Sequence, residues 1–112
     1  MAITADLLRG YTDTVIMRQL AGADGYGYQI SKEVLNASGG KLELKEATLY
    51  TAFRRMEGAG YIRSYWGNEA IGARRRYYSL TDEGRKKLEE EVQAWRETRE
   101  VLSRLLEEEK DT

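Results

Sequence analysis

A mainly α fold with one small β-hairpin is the class the sequence predicts, and three features predict it. Residues 46–57 carry apolar side chains at helical spacing. Two short runs that alternate with a period of two, residues 61–66 and 74–80, follow at once. From Thr81 onward apolar residues recur every three or four positions over about 25 residues, roughly 37 Å of helix at 1.5 Å per residue. A helix, then a hairpin whose second strand opens on Arg74-Arg75-Arg76, then a long helix is the order of a winged helix-turn-helix with a C-terminal dimerisation helix.

The elements follow in chain order. Thr4 is the expected N-cap of a first helix, in which Leu7, Leu8, Tyr11, Val15, Ile16 and Leu20 share one face; Gly22 and Gly25 end it. After Tyr26-Gly27, the residues Ile30, Val34 and Leu35 mark a short second helix, closed by the turn-forming Asn36-Ala37-Ser38-Gly39-Gly40. The third helix starts near Lys45. Its Leu49, Ala52, Phe53 and Met56 fall in one arc that must face the first two helices, while Thr48, Thr51, Arg54 and Arg55 project to the opposite side. Gly58 and Gly60 stop it. In the hairpin, Ile62, Ser64 and Trp66 alternate with Tyr61, Arg63 and Tyr65, residues 67–72 form the wing tip, and alternation turns one of Tyr77 and Tyr78 inward onto the third helix.

Thr81 is the expected cap of the last helix, with Asp82 and Glu83 in its first turn where negative charge suits the dipole. Leu88, Val92, Trp95, Arg99, Leu102 and Leu106 step by four and three, the seam of a coiled coil with one charged member. A helix this long exceeds what so small a domain covers alone, so the seam is expected to lie against a second copy of the chain, in a homodimer. Residues 1–80 are thus read as the winged DNA-binding domain and 81–112 as the dimerisation helix, which forms one compact unit with the first helix. The end, 107–112, is expected to fray.

Composition narrows the chemistry. The 112 residues contain no Cys and no His, which removes disulfides, thiolate nucleophiles, thiolate or imidazole metal sites and imidazole acid–base catalysis. The expectation is a protein that is not an enzyme and holds no metal or cofactor. No apolar run approaches the roughly 20 residues of a membrane span, and residues 1–6 lack the basic start of a signal peptide, so a cytoplasmic protein without a membrane partner is expected.

The formal charge of −1 hides an asymmetry. Lys41, Lys45, Arg54, Arg55, Arg63, Arg74, Arg75 and Arg76 outnumber Glu43, Glu46, Glu57 and Glu69 two to one in segment 38–80, and the segment from Thr81 on is net acidic. A basic face beside an amphipathic helix fits double-stranded DNA: Lys45, Thr48, Thr51, Arg54 and Arg55 are candidates for groove and phosphate contacts, Arg74, Arg75 and Arg76 for phosphate clamps. Ordinary solvated charges are the alternative for the Arg triplet, and a ligand-binding or protein-interaction module without DNA binding is the alternative for the whole.

Four ordered motifs carry a resemblance. Tyr26-Gly27-Tyr28-Gln29-Ile30-Ser31, Ala47-Thr48-Leu49-Tyr50, the run from Arg54 through Gly60 to Ile62, and the run from Arg75 through Tyr77 and Thr81 to Gly84 together resemble the PadR-like transcriptional regulators over nearly the whole chain. Within that family the chain is similar to the short subclass with a single C-terminal helix, the type of the lactococcal multidrug-binding repressor. The resemblance implies a homodimeric repressor that binds a palindromic operator and closes its dimer through the C-terminal helices. It also implies a central pore in which a tryptophan from each protomer stacks on a planar aromatic effector. Trp95 is the matching position, and Leu7, Tyr11, Thr14, Val15, Glu91, Val92, Thr98 and Arg99 are the implied remaining lining. One departure stands out: Arg99 occupies the place of an acidic residue one turn past the tryptophan, which disfavours cationic ligands, and Asp13 and Glu91 are the acids placed to compensate. For Trp95 itself, a plain core aromatic is the other reading.

Overall fold

The computed structural model describes residues 8–69 and 72–107. Helix α1 (Thr12–Gly22) leads through the two-residue strand β1 (Gly25–Tyr26) into α2 (Gly27–Ala37) and, after a loop, α3 (Glu46–Gly58); strands β2 (Ile62–Trp66) and β3 (Arg76–Leu80) form the wing, and α4 (Asp82–Leu106) closes the chain. The predicted class holds, mainly α with a winged hairpin and a long C-terminal helix. Its sheet is antiparallel and three-stranded in the order β1-β3-β2, with Tyr26 opposite Tyr77 and Ile62 opposite Leu80.

Two expectations for the first helix need correction. It does not run unbroken toward Leu20: Gly10, at φ 88, occupies the left-handed region that ends a helical turn, and α1 proper starts at Thr12 and continues to Gly22. Gly25 is not part of the stop but a buried strand residue paired with Tyr78. The Thr4 cap and Leu7 lie outside the described residues.

The end of α3 shows why the wing emerges where it does. Gly60 takes φ 83, its N–H donates to the Glu57 carbonyl at 3.1 Å, and the Tyr61 N–H donates to the Met56 carbonyl at 3.0 Å. This paired closure satisfies carbonyls the helix would otherwise leave open and turns the chain directly into β2.

Ile16, Met17 and Leu20 of α1, Ile30 and Val34 of α2, Leu49, Ala52, Phe53 and Met56 of α3, and Ile62, Tyr78 and Leu80 of the sheet make one buried core. Of the two adjacent tyrosines in β3, Tyr78 is the inward one, and its ring stacks on Phe53 with centroids 3.9 Å apart. Leu42 and Leu44, in the loop before α3, also enter the core, anchored by the Ser31 hydroxyl donating to the Leu44 carbonyl at 3.0 Å.

Thr81 caps α4 as its sequence predicts, its hydroxyl oxygen accepting from the Gly84 N–H at 3.0 Å. At Gly84 a Cβ would sit 2.1 Å from the Tyr61 carbonyl oxygen, so only glycine lets the helix lie this close to the head. Farther along α4, Val92 is partly buried against the same core. Leu88 is 6% exposed and belongs to the core of its own protomer, which removes it from the expected dimer seam because little of its surface is left for a partner.

Candidate functional site

The buried arc of Leu49, Ala52, Phe53 and Met56 fixes the roll of α3, and the opposite arc is left to solvent: Thr48, Thr51, Arg54 and Arg55 are all exposed, with Lys45 exposed at the N-cap. Beside this face the wing returns along β3. A groove of about 620 Å³ runs between the start of α2, α3 and the wing, and it gathers Arg74, Arg75 and Arg76 with Tyr26, Tyr28, Tyr50 and Trp66.

The aromatic side of this groove is the part that composition and spacing did not single out. Arg74 and Arg76 lie 5.8 Å and 5.7 Å from the Trp66 ring centroid, and Arg75 lies 4.7 Å from that of Tyr26. Tyr50 crosses from α3 to the start of α2, where its hydroxyl would be 2.8 Å from a Cβ at position 27, so Gly27 permits the approach. The signal was present in Tyr26-Gly27-Tyr28, two exposed-prone aromatics around a glycine, but nothing local ties them to the wing.

The arginines are not without counter-charges. Arg76 donates to the Ser64 hydroxyl at 2.8 Å and lies 3.6 Å from a Glu57 oxygen, while Arg75 lies 3.7 Å from Glu69. Glu69 is held ionised below the usual carboxylate range, chiefly by its own backbone N–H and then by those of Arg75 and the Tyr77 hydroxyl. Arg74 donates to the Gly67 carbonyl at 3.1 Å, which stiffens the turn. Arg55 reaches back to α1, where Asp13 accepts from its Nε at 3.1 Å and from Nη2. That carboxylate holds the guanidinium pKa above its ordinary value, and the two groups form a two-pronged pair.

A second groove, of about 670 Å³, opens between α1 and α4, lined by Tyr11, Thr14 and Val15 on one side and Val92 and Trp95 on the other. Five of the residues expected to surround an effector therefore meet. Leu8, Arg18, Gln19 and Leu42 complete the lining and had not been picked out, because only the packing of α1 on α4 brings them there. Thr98 and Arg99 border an adjoining groove that shares Tyr11 and Trp95. Glu91 faces neither groove: it accepts from Lys87 Nζ at 3.0 Å. Asp13 is likewise committed, to Arg55, so neither acid is placed as the compensating charge for Arg99. Trp95 is 40% exposed in the protomer, and the Arg99 guanidinium sits 4.8 Å from its ring centroid.

Along the expected seam, Val92 is partly buried against the core, whereas Leu102 and Leu106 are exposed, together with Val101 and Leu105, which the four-and-three spacing had passed over. Among the described residues no helix is long and apolar enough to cross a membrane.

Comparison with known proteins places these features. Residues 16–90 match the model of the transcriptional regulator PadR-like family. A transcriptional regulator from Clostridium thermocellum is 41% identical in sequence and superposes with a TM-score of 0.85, covering 91% of this chain and 99% of that one. A PadR family transcription regulator from Clostridium difficile is 43% identical with a TM-score of 0.76, over 87% and 99% of the two chains. An uncharacterized protein of Lysinibacillus sphaericus is 37% identical over 105 residues, 94% of this chain and 96% of that protein.

Proposed function

The chain belongs to the PadR-like family of transcriptional regulators, and on that premise we propose that it is a homodimeric DNA-binding repressor that responds to a planar aromatic compound held at Trp95. The observation that supports DNA binding most is the groove in which Arg74, Arg75 and Arg76 meet Tyr50 of α3, the helix whose exposed arc carries Thr48, Thr51, Arg54 and Arg55. A cationic wing beside an exposed helix face suits a major groove and its flanking phosphates, with Thr48, Thr51, Arg54, Arg55 and Lys45 toward the groove. Residues 1–80 act as the DNA-binding domain in this reading. The outer half of α4 pairs with its counterpart through Trp95, Arg99, Leu102 and Leu106, extended by Val101 and Leu105.

Regulation follows by population shift. A two-fold dimer presents two α3 helices, and its grip on a palindromic operator depends on a separation near 34 Å, about one duplex turn. A flat ring entering between α1 and α4 alters the angle of α4, hence that separation, and the start of α1 places Tyr11, its N-cap, in the groove and Asp13 on Arg55.

Duplex binding measured against salt tests the reading. Affinity falls steeply between about 50 and 200 mM salt if several phosphates are contacted. Changing Arg74, Arg75 and Arg76 together to Ala weakens every sequence alike and lowers the salt slope, whereas Thr48→Ala changes the preference among duplexes selected from a random pool. Because Glu69 and Glu57 already lie beside Arg75 and Arg76, an interaction module without DNA binding is the competing reading. Absence of measurable duplex affinity at about 50 mM salt would decide for it.

A further inference from the structure

We propose that the groove between the wing and the start of α2 binds a free purine nucleotide carrying two or more phosphates, which competes there with DNA. Only the competition rests on the repressor reading; the site itself does not. At about 620 Å³ the groove lies within the roughly 300–1,000 Å³ of small-molecule sites, and its walls combine two chemistries, four aromatic rings and three guanidinium groups.

Phosphate contact accounts for the arginines but not for the rings. The bases of a duplex are stacked on one another, so their faces are closed to side chains that approach from the backbone, whereas a free nucleotide offers a ring face and phosphates together. The rings are open to receive it. Tyr28, Tyr50 and Trp66 are all exposed, and although single exposed aromatics are ordinary on a surface, three of them lining one groove mark a binding site.

The hairpin sets the two chemistries side by side. Trp66 is the register partner of Arg76, and Arg76 and Arg74 lie 5.7 Å and 5.8 Å from its ring centroid, so a base stacked on the indole keeps both guanidiniums within reach of its phosphates. Arg75 stands 4.7 Å from the Tyr26 centroid, and Lys32 adds a fourth cation 5.8 Å from that of Tyr28. A fused purine has the area to cover an indole, and more than one phosphate engages cations spread over both rims. The nearby acids compete weakly: Glu57 and Glu69 lie 3.6 Å and 3.7 Å from Arg76 and Arg75, beyond hydrogen-bond distance, on guanidiniums about half exposed, where such pairs are worth little. Among the described residues Arg74 pairs with no carboxylate; its Nε donates to the Gly67 carbonyl.

Isothermal titration calorimetry on the full-length protein, free of divalent cations, compares ADP with its two parts, adenosine and pyrophosphate. ADP is expected to bind at least about tenfold more tightly than either, since stacking of one base adds a factor of roughly five to 150. Trp66→Leu, at an exposed side chain, brings ADP toward pyrophosphate and leaves pyrophosphate where it was, while Trp66→Phe keeps most of the margin. The comparison within the unaltered protein depends on no variant folding. Saturating ADP also releases a bound duplex. ADP no tighter than pyrophosphate reduces the groove to a phosphate clamp and overturns the proposal, as does an ADP margin that Trp66→Leu leaves intact. A single-stranded oligodeoxyadenylate that binds more tightly than ADP, and loses that advantage in Trp66→Leu, makes an unpaired strand the occupant and overturns the free nucleotide. A duplex that stays bound under saturating ADP places the nucleotide elsewhere and overturns the site. Absence of any duplex affinity sinks the repressor reading alone, because the calorimetry needs no DNA.

Discussion

Phe53, at the centre of the winged head, is 1% exposed, whereas Leu106, near the end of α4, is 79% exposed, although both are apolar side chains on well-formed helices. The head closes its own core: α1, α2, α3, the sheet and two loop leucines enclose one another, and α4 contributes Leu88 as its single large buried side chain. Past Val92, Trp95, Val101, Leu102, Leu105 and Leu106 of α4 all keep a large exposed share, rising toward the end of the helix. Burial of one such leucine stabilises by about 1.5–3 kcal/mol. The apolar residues of the head lie in one closed core, whereas those of outer α4 stay exposed, the surface that a second copy covers in the dimer proposed above.

The largest effect is expected from a charge on the outer half of α4. Leu102→Glu places a carboxylate on the seam, and in a two-fold dimer the change occurs twice, so association should weaken by about 3–6 kcal/mol, or roughly two to four orders of magnitude. Sedimentation at micromolar concentration should then show protomers, while the far-ultraviolet circular dichroism and the near-ultraviolet signature of the head persist. A variant that stays dimeric removes Leu102 from the interface; one that unfolds outright shows that the head does not stand alone.

How much of this was legible in the chain divides along the same line. Helix α3 and the α4 cap were readable because their signals are local: an apolar arc repeated within thirteen residues, and a threonine followed by two acids. Strand β1 was not, since two residues cannot display a period and the hydrogen bonds that define it come from Tyr77 and Tyr78, about fifty positions on. The break at Gly10 was hidden because the apolar spacing of Leu8, Tyr11 and Val15 continues across it. Leu42 and Leu44 read as loop and pack as core, held by Ser31 and Ser38 rather than by any periodic pattern. At the candidate sites the residue types on α3, the wing and Trp95 were legible, but their partners were not. Arg55 with Asp13 and Arg76 with Glu57 join positions far apart in sequence, and such pairs redistribute charge that a segment count leaves in place.

A smaller effect is expected where α4 joins the head. Thr81 accepts from the Gly84 N–H, donates its own hydroxyl proton to the Gly60 carbonyl at 2.6 Å, and uses its backbone N–H on the Tyr61 carbonyl at 3.0 Å. Thr81→Ala removes the first two and should cost about 1 kcal/mol of unfolding free energy in urea. Thr81→Ser keeps the hydroxyl and should restore most of it. An unaltered urea midpoint in Thr81→Ala would mean that packing of Leu88 and the close approach at Gly84 alone seat α4 on the head.

The smallest change in stability is expected at Asp13. The pair with Arg55 lies at the surface, with 33% and 55% of the two side chains exposed, so solvent screening limits its worth to about 0.2–1 kcal/mol. Its position matters more than its strength: at the start of α1, the N-cap Tyr11 and Thr14 face the Trp95 groove while Asp13 holds a guanidinium of α3. Asp13→Asn should therefore leave the urea midpoint almost unmoved and leave the affinity of a flat aromatic dye for the Trp95 groove intact, yet blunt the change in duplex affinity that the dye produces. Fluorescence anisotropy of a selected duplex, titrated with and without the ligand, reads that difference directly. Should Asp13→Asn respond to ligand as fully as the unaltered protein, coupling would have to run through the angle of α4 alone, and Arg55 would be a DNA contact indifferent to the groove behind it.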